Sequence, residues 1–265
     1  MPRPTARDNF SARSAAEPAV ANLRNLAKMG PRATSRQLYE DLHGKIVRGE
    51  LRPGDALSET KVAESYGLSR TPVREVFWHL GEDGFLRVVP QVGTFVAPIN
   101  VAAVYDSQFI REALECRAIA DAARNPQTRD IAELRGNLDR QRAAVAAADF
   151  TAFFALDEAM HRSLMHMAGR PFVWQVIAGA KAQLDRVRFF SLEDRDWLAM
   201  ILDQHSAIVD RVIARDPAGA IALMTLHLRT AYAAIDRIAA DHADFFEGGD
   251  PLRNGDLGEP TDGLH

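Results

Sequence analysis

The chain reads as mainly α, in two parts: an N-terminal winged helix-turn-helix with a small β-hairpin wing over residues 34–98, then an all-α antiparallel helical bundle over residues 101–243. Three observations predict this. Short apolar-periodic segments punctuated by Gly and Pro fill residues 34 to 84. Two β-prone runs follow them, and from Val101 to about His242 the apolar spacing is helical throughout.

The elements follow in order. Leu38, Leu42 and Ile46 mark one face of a first helix, which the breaker-rich Gly49-Glu50-Leu51-Arg52-Pro53-Gly54 ends. Glu59 to Tyr66 forms a second short helix, with Gly67 as its left-handed C-cap. A third begins almost at once, the layout of a helix-turn-helix. Its Val73, Val76, Phe77 and Leu80 recur at i, i+3, i+4, i+7 and face inward. Arg70 and Arg74, four apart, share the outward side. Ser69 or Thr71 can cap its free amides, and Pro72 suits a first turn. Phe85 to Val89 and Thr94 to Ala97, separated by Pro90-Gln91-Val92-Gly93, make the hairpin. In the bundle, breaks near Asn125-Pro126, Gly169-Arg170-Pro171, Ser191 to Asp194 and Asp216-Pro217 predict five or six long helices.

Composition sets outer bounds. At 265 residues, 47% hydrophobic and 26% charged, the chain can build two cores. No apolar run approaches the roughly eighteen residues of a membrane span, and Met1 to Gly30 lacks the core of a signal peptide, so a cytoplasmic location and no membrane partner are expected. Cys116 is the single cysteine, which excludes an intrachain disulfide or a thiolate metal cluster; on an apolar helix face it reads as a buried, inert thiol. Residues 1–33, rich in Arg, Ala, Ser and Pro, read as a disordered basic arm, and residues 244–265 as a flexible acidic tail.

The third helix carries recognition chemistry. Arginine pairs in bidentate fashion with guanine O6 and N7 in the major groove, and Arg70 and Arg74 face the right way for it. Ser69 and Thr71, at the helix start, suit phosphate, and Gly93 lets the wing tip approach a backbone closely. Two arginines at i, i+4 are ordinarily a solvated face, but the flanking turn, wing and first helix reverse that reading. Residues 34–98 hold about as many acids as bases, so the basic character is focused rather than diffuse.

Residues Gln37 to Pro98 resemble the DNA-binding domain of the GntR family of bacterial transcriptional regulators. The resemblance rests on Gly49 to Glu59, Leu68-Ser69-Arg70-Thr71-Pro72-Val73-Arg74-Glu75, Gly84-Phe85-Leu86 and Gly93-Thr94-Phe95-Val96, in order and at family spacing. Thr60 departs from it, standing where some members carry a DNA-contacting arginine, and Trp78 lies on the outward side of the recognition helix.

Within the bundle, Asp157 and His161 are four apart and project from one face of one helix, a spacing at which a carboxylate and an imidazole can share a metal ion. His205 lies between Ile201 and Ile208, and His227 beside Leu223 and Leu226, on faces expected to look inward. Three imidazoles and a carboxylate suit a divalent ion, Zn²⁺ or Ni²⁺ foremost. A histidine on an apolar helix face is also often a satisfied core residue, and spacing alone leaves both readings open. His166, five beyond His161, points elsewhere.

Residues from about Val101 to Ala240 resemble the FCD effector-binding domain of the FadR subfamily of GntR regulators, on Arg111 to Glu115, Asp157 to Leu164, Gln204 to Ile208 and Met224 to Leu228. The resemblance implies a metal held by Asp157, His161, His205 and His227, and a small carboxylate effector, a sugar acid or organic acid, held by the metal and Arg111. It also implies a homodimer on a palindromic stretch of double-stranded operator DNA. Arg170 departs from it, standing where asparagine is common. Arg186 and Arg188 are expected to face solvent. The rival readings are a metal-dependent enzyme acting on a small organic acid and a regulator whose metal is purely structural.

Overall fold

The computed structural model describes residues 34–247. Helix α1 (Ser35–Val47) opens on a capping box in which the Gln37 amide donates to Thr34 Oγ1 at 3.2 Å and the Thr34 amide to Gln37 Oε1 at 2.8 Å. Its Leu38, Leu42 and Ile46 are fully buried. Helix α2 (Glu59–Tyr66) ends at Gly67, whose φ of 64° is the left-handed conformation the turn requires. Helix α3 (Arg70–Glu82) buries Val73, Val76, Phe77 and Leu80 against them. The wing pairs β2 (Leu86–Val89) with β3 (Gly93–Val96), antiparallel, with Val88 opposite Thr94. A two-residue strand β1 (Ala56–Leu57) adds to the other edge of β3, with Ala56 opposite Phe95. A pair so short shows no alternation in sequence, so β1 had no signal there.

The bundle comprises, among the described residues, seven helices: α4 (Val101–Arg124), α5 (Thr128–Ala147), α6 (Phe150–Met167), α7 (Pro171–Ala180), α8 (Ala182–Ser191), α9 (Arg195–Ile213) and α10 (Pro217–Asp241). All four anticipated breaks are present. Two further ones raise the number above the expected five or six, and neither carries Pro or Gly. At Ala148 the chain turns left-handed (φ 52°) and Asp149 caps α6 by accepting the Ala152 amide at 2.9 Å. At Lys181 a single residue separates α7 from α8. Helix α10 is long and apolar enough to cross a membrane by length and composition, which the expectation that no apolar run approaches a span did not foresee. Here it packs against α4, α8 and α9, burying Ala220, Met224, Leu228 and Ile235.

Helix α8 sits between the two parts and is buried on nearly every face. Ala182 and Phe189 join the apolar core of the winged part, whereas Leu184, Val187 and Phe190 pack with Ile99, Ile238 and Phe245 of the bundle. Gln183 Nε2 donates to the Gly84 carbonyl at 2.7 Å and Arg186 Nη1 to the Ala97 carbonyl at 2.9 Å. Both carbonyls belong to the winged part, so one helix fastens the two units together.

The anticipated acidic tail does not begin at 244. Phe245 and Phe246 are buried, the Ile99 amide donates to the Phe245 carbonyl at 2.7 Å, and the Glu247 amide returns to Ile99 at 3.0 Å. Two phenylalanines in an otherwise polar stretch gain more from the core than from solvent. The anticipated basic arm of residues 1–33 and the rest of the tail lie outside the described residues.

Candidate metal centre and DNA-reading face

Helices α6, α9 and α10 bring Asp157, His161, His205 and His227 to one buried point, with one donor atom from each lying within 4.8 Å of the others. His227 Nε2 faces His161 Nε2 at 3.3 Å, and Asp157 Oδ1 is 3.3 Å from His205 Nε2 and 3.9 Å from His161 Nε2. Each ring is held from outside through Nδ1. His161 Nδ1 meets Glu115 Oε2 at 2.5 Å, His205 Nδ1 meets Gln141 Oε1 at 2.8 Å, and His227 Nδ1 meets Gln204 Oε1 at 2.9 Å. An acceptor at Nδ1 places the proton there and turns the Nε2 lone pair inward, the outer-shell arrangement typical of metal-ligating histidines. The outer partners are themselves fixed, Gln141 by Asn137 at 2.7 Å and Gln204 by Thr230 at 3.1 Å.

Electrostatics favour the ligand forms. Burial, then the charges of His205 and His161, push His227 well below the ordinary imidazole value, and burial also lowers His205. Burial opposes ionisation of Asp157, but Arg188 and the neighbouring imidazoles hold its carboxyl well below the usual range. Glu115 is held down to about 2: burial opposes its charge, and Arg111 and His161 overcome that. The inward lone pairs of His161 and His227, 3.3 Å apart, repel one another, and His205 turns Nε2 toward the Asp157 carboxylate at 3.3 Å without the geometry of a formed hydrogen bond. A buried cation relieves both conditions, so the donor set fits a divalent metal.

A small cavity opens beside the cluster, about 40 Å³, between α4, α6, α8, α9 and α10. Arg111, Asp157, Arg188, Ser191 and His227 are the polar residues that line it. Arg111 is 2% exposed and gives its Nε to Glu115 Oε1 at 2.7 Å, while its Nη2 has no partner among the described residues.

At the other end of the chain, Arg70 and Arg74 converge on Glu59 at the start of α2, Arg74 Nε at 2.9 Å and Arg70 Nη2 at 3.4 Å from the same oxygen. Both guanidinium groups are more than half exposed. Ser69 occupies the N-cap of α3, but its hydroxyl makes no capping bond, contrary to the expected role. The first-turn amides and that hydroxyl are therefore open. Gly93 starts β3 with a φ of 152°, which a side chain would strain, and Trp78 is 61% exposed on α3.

Residues 34–96 match the model of the bacterial regulatory proteins of the gntR family, and residues 106–230 match that of the FCD domain. An uncharacterized HTH-type transcriptional regulator in an unstable DNA locus of Streptomyces ambofaciens is 38% identical over 221 residues, covering 83% of this chain and 93% of its own. The chain belongs to the GntR family and carries an FCD domain. The HTH-type transcriptional repressor RspR of Escherichia coli K12 is 34% identical to this regulator over 80% of the chain and 93% of its own. The fold matches the solved structure of E. coli McbR/YncC with a TM-score of 0.68 at 22% identity, over 78% of this regulator and 98% of that chain. These relatives are regulators of transcription, not enzymes.

Several side chains in this regulator stand where sequence reasoning did not put them. Arg186 and Arg188 do not face solvent. Arg188 Nη1 donates to Glu158 Oε1 at 2.8 Å and Asp185 Oδ1 at 3.0 Å, while its Nη2 pairs with Asp157 Oδ2. Arg186 is fully buried, and burial lowers its pKa to about 10. The reason is that α8 is covered from both sides, which no periodicity on a ten-residue helix reveals. Leu226 is exposed rather than inward, being one residue and so about 100° from His227. Cys116 is half-buried, with Sγ 3.3 Å from Thr225 Oγ1; burial raises its pKa and keeps the thiol protonated. Glu115, Gln141 and Gln204 were missed as orienting groups. Glu115 alone had a signal, lying four residues from Arg111 on one helix face.

Proposed function

We propose that this regulator binds a divalent metal through Asp157, His161, His205 and His227, and that the metal and Arg111 together hold a small carboxylate effector, a sugar acid or organic acid, that modulates operator binding. The observation that carries this reading is buried Arg111, whose Nη2 lacks a partner among the described residues, lining one cavity together with Asp157 and His227. A bound divalent ion would supply a Lewis-acidic centre for a carboxylate oxygen. Arg111 supplies the second anchor, preset by its bond to Glu115.

At the other end, Arg70 and Arg74 read bases in the major groove, Ser69 and Thr71 with the open amides of α3 hold phosphate, and Gly93 brings the wing to the backbone. Two copies bind a palindromic operator in the cytoplasm. Exposed Phe109 on α4 and Phe172 on α7, helices that pack together, offer apolar surface for pairing. Helix α8 links the sites, since Arg188 lines the cavity while Gln183 and Arg186 hold the winged part. An effector alters operator affinity only by favouring one arrangement of the two parts over another.

The test is three substitutions with two separate readouts. His205→Ala and His227→Ala should each abolish stoichiometric metal by elemental analysis of the folded protein. Arg111→Ala should weaken carboxylate binding while sparing the metal. Retained metal in both histidine variants rejects the site. Metal that binds and stabilises with no carboxylate response in the native chain assigns the ion a structural role instead.

A further inference from the structure

The cavity beside the metal cluster is lined by two kinds of side chain: the polar ones named with the site and, interleaved with them on the same helices, Phe154, Val187, Leu192, Trp197, Ile201 and Leu228. The polar groups are largely committed already. Arg188 spends Nη1 on Glu158 and Asp185 and Nη2 on Asp157, and Ser191 Oγ donates to the Arg188 carbonyl at 2.7 Å. Among the described residues, the buried donor lining the cavity that lacks a partner is Arg111 Nη2. A ligand therefore meets one uncommitted cationic residue beside the metal cluster and a lining that is otherwise mostly hydrocarbon. The cavity is small, about 40 Å³.

From this we infer that the cavity selects a short alkanoate, one carboxylate carrying about two to four carbons without hydroxyl groups, over sugar acids and dicarboxylates. The inference rests on the proposed carboxylate site and narrows its ligand class. Each hydroxyl of a sugar acid loses its water on entry and finds no partner against Ile201, Leu228 and Leu192, which costs more than the contact returns. A second carboxylate has no second free guanidinium, and the committed charges of Asp157, Glu158 and Asp185 repel it. Methyl groups, in contrast, leave water for an apolar wall, and each buried one is worth about fourfold in affinity.

The experiment uses the full chain loaded with Zn²⁺ and titrates isobutyrate, propionate, glycerate, malonate and gluconate by calorimetry, each repeated with chelator. Isobutyrate should bind about tenfold to a hundredfold more tightly than glycerate, which has a similar size but two hydroxyls. Gluconate and malonate should give no heat. Ile201→Ala should weaken isobutyrate severalfold while Zn²⁺ still binds at one equivalent, which shows that the variant is folded. Gluconate, glycerate or malonate binding as tightly as isobutyrate in a chelator-sensitive way overturns the selectivity and leaves the carboxylate site standing. Zn²⁺ binding with no response to any of the five acids overturns the site itself.

Discussion

Glu115 joins the two halves of the candidate site: its Oε2 lies 2.5 Å from Nδ1 of His161, and its Oε1 accepts from Arg111 Nε at 2.7 Å. One buried carboxylate thus fixes the tautomer of a metal-ligand candidate and the fork of the effector arginine. Glu115→Gln keeps the volume and removes the charge. Metal affinity should fall about 10- to 100-fold, as for other outer-shell partners. Competition with a chromophoric chelator measures it. Unchanged affinity would remove Glu115 from the outer shell.

Arg74→Ala should cost about 1 to 3 kcal/mol of operator discrimination if its contact is to a base, and Arg70→Ala should behave alike. Their shared partner Glu59 adds a check. An exposed ion pair of this kind contributes only about 0 to 1 kcal/mol, so releasing it with Glu59→Gln should leave folding stability nearly unchanged. Fluorescence anisotropy with operator and scrambled DNA reads the effect. Equal affinity of both arginine variants and the native chain for operator would reject α3 as the reading helix.

How far the sequence led is clearest at the level of single residues. Val73, Val76, Phe77 and Leu80 announced the inward face of α3 because helical spacing is a local property, and all four are buried. Asp157 and His161 announced themselves by lying four apart on one helix. His205 and His227 needed the family resemblance, since nothing local says that α9 and α10 meet α6. Gln141 and Gln204 left no trace, as an orienting amide is defined by what it touches. The break at Ala148 escaped for a related reason: the cap of Asp149 stabilises a turn that the composition does not mark.

His43 offers a test by pH. It stacks on Tyr39 at 5.7 Å and meets the edge of Phe85 at 4.7 Å, and burial lowers its pKa, with Asp185, Asp83 and Glu158 opposing that shift and Lys181 adding to it. A lowered imidazole pKa means that the unfolded chain binds the proton first. Stability from His43 is therefore full above the ordinary value of about 6.5 and is lost as pH falls towards the folded value. Urea unfolding at pH 7.5 and 5.5 should show a smaller loss in His43→Gln than in the native chain. An identical loss in both would show that His43 does not contribute to the acid response.

Arg188 is the residue on which stability and signalling should part company. It is a buried cation balanced by Asp157, Glu158 and Asp185, with burial opposing its charge and those three carboxylates holding it protonated. Arg188→Met leaves Asp157 without its guanidinium, while Lys181 still pairs with Glu158 at 2.6 Å and with Asp185, and the cost should be about 3 to 5 kcal/mol by urea unfolding of the metal-free chain. Saturating Zn²⁺ should restore part of that loss, because a cation bound at Asp157 replaces one of the missing contacts. Once refolded by metal, the variant retains Gln183 and Arg186 on the winged part but lacks the link from α8 to the cavity. A carboxylate effector should then still bind, through Arg111, yet no longer change operator affinity in anisotropy. If the Zn²⁺-loaded variant responds to effector as the native chain does, α8 is not the route between the sites, and the coupling must run through α4, which follows directly from the wing.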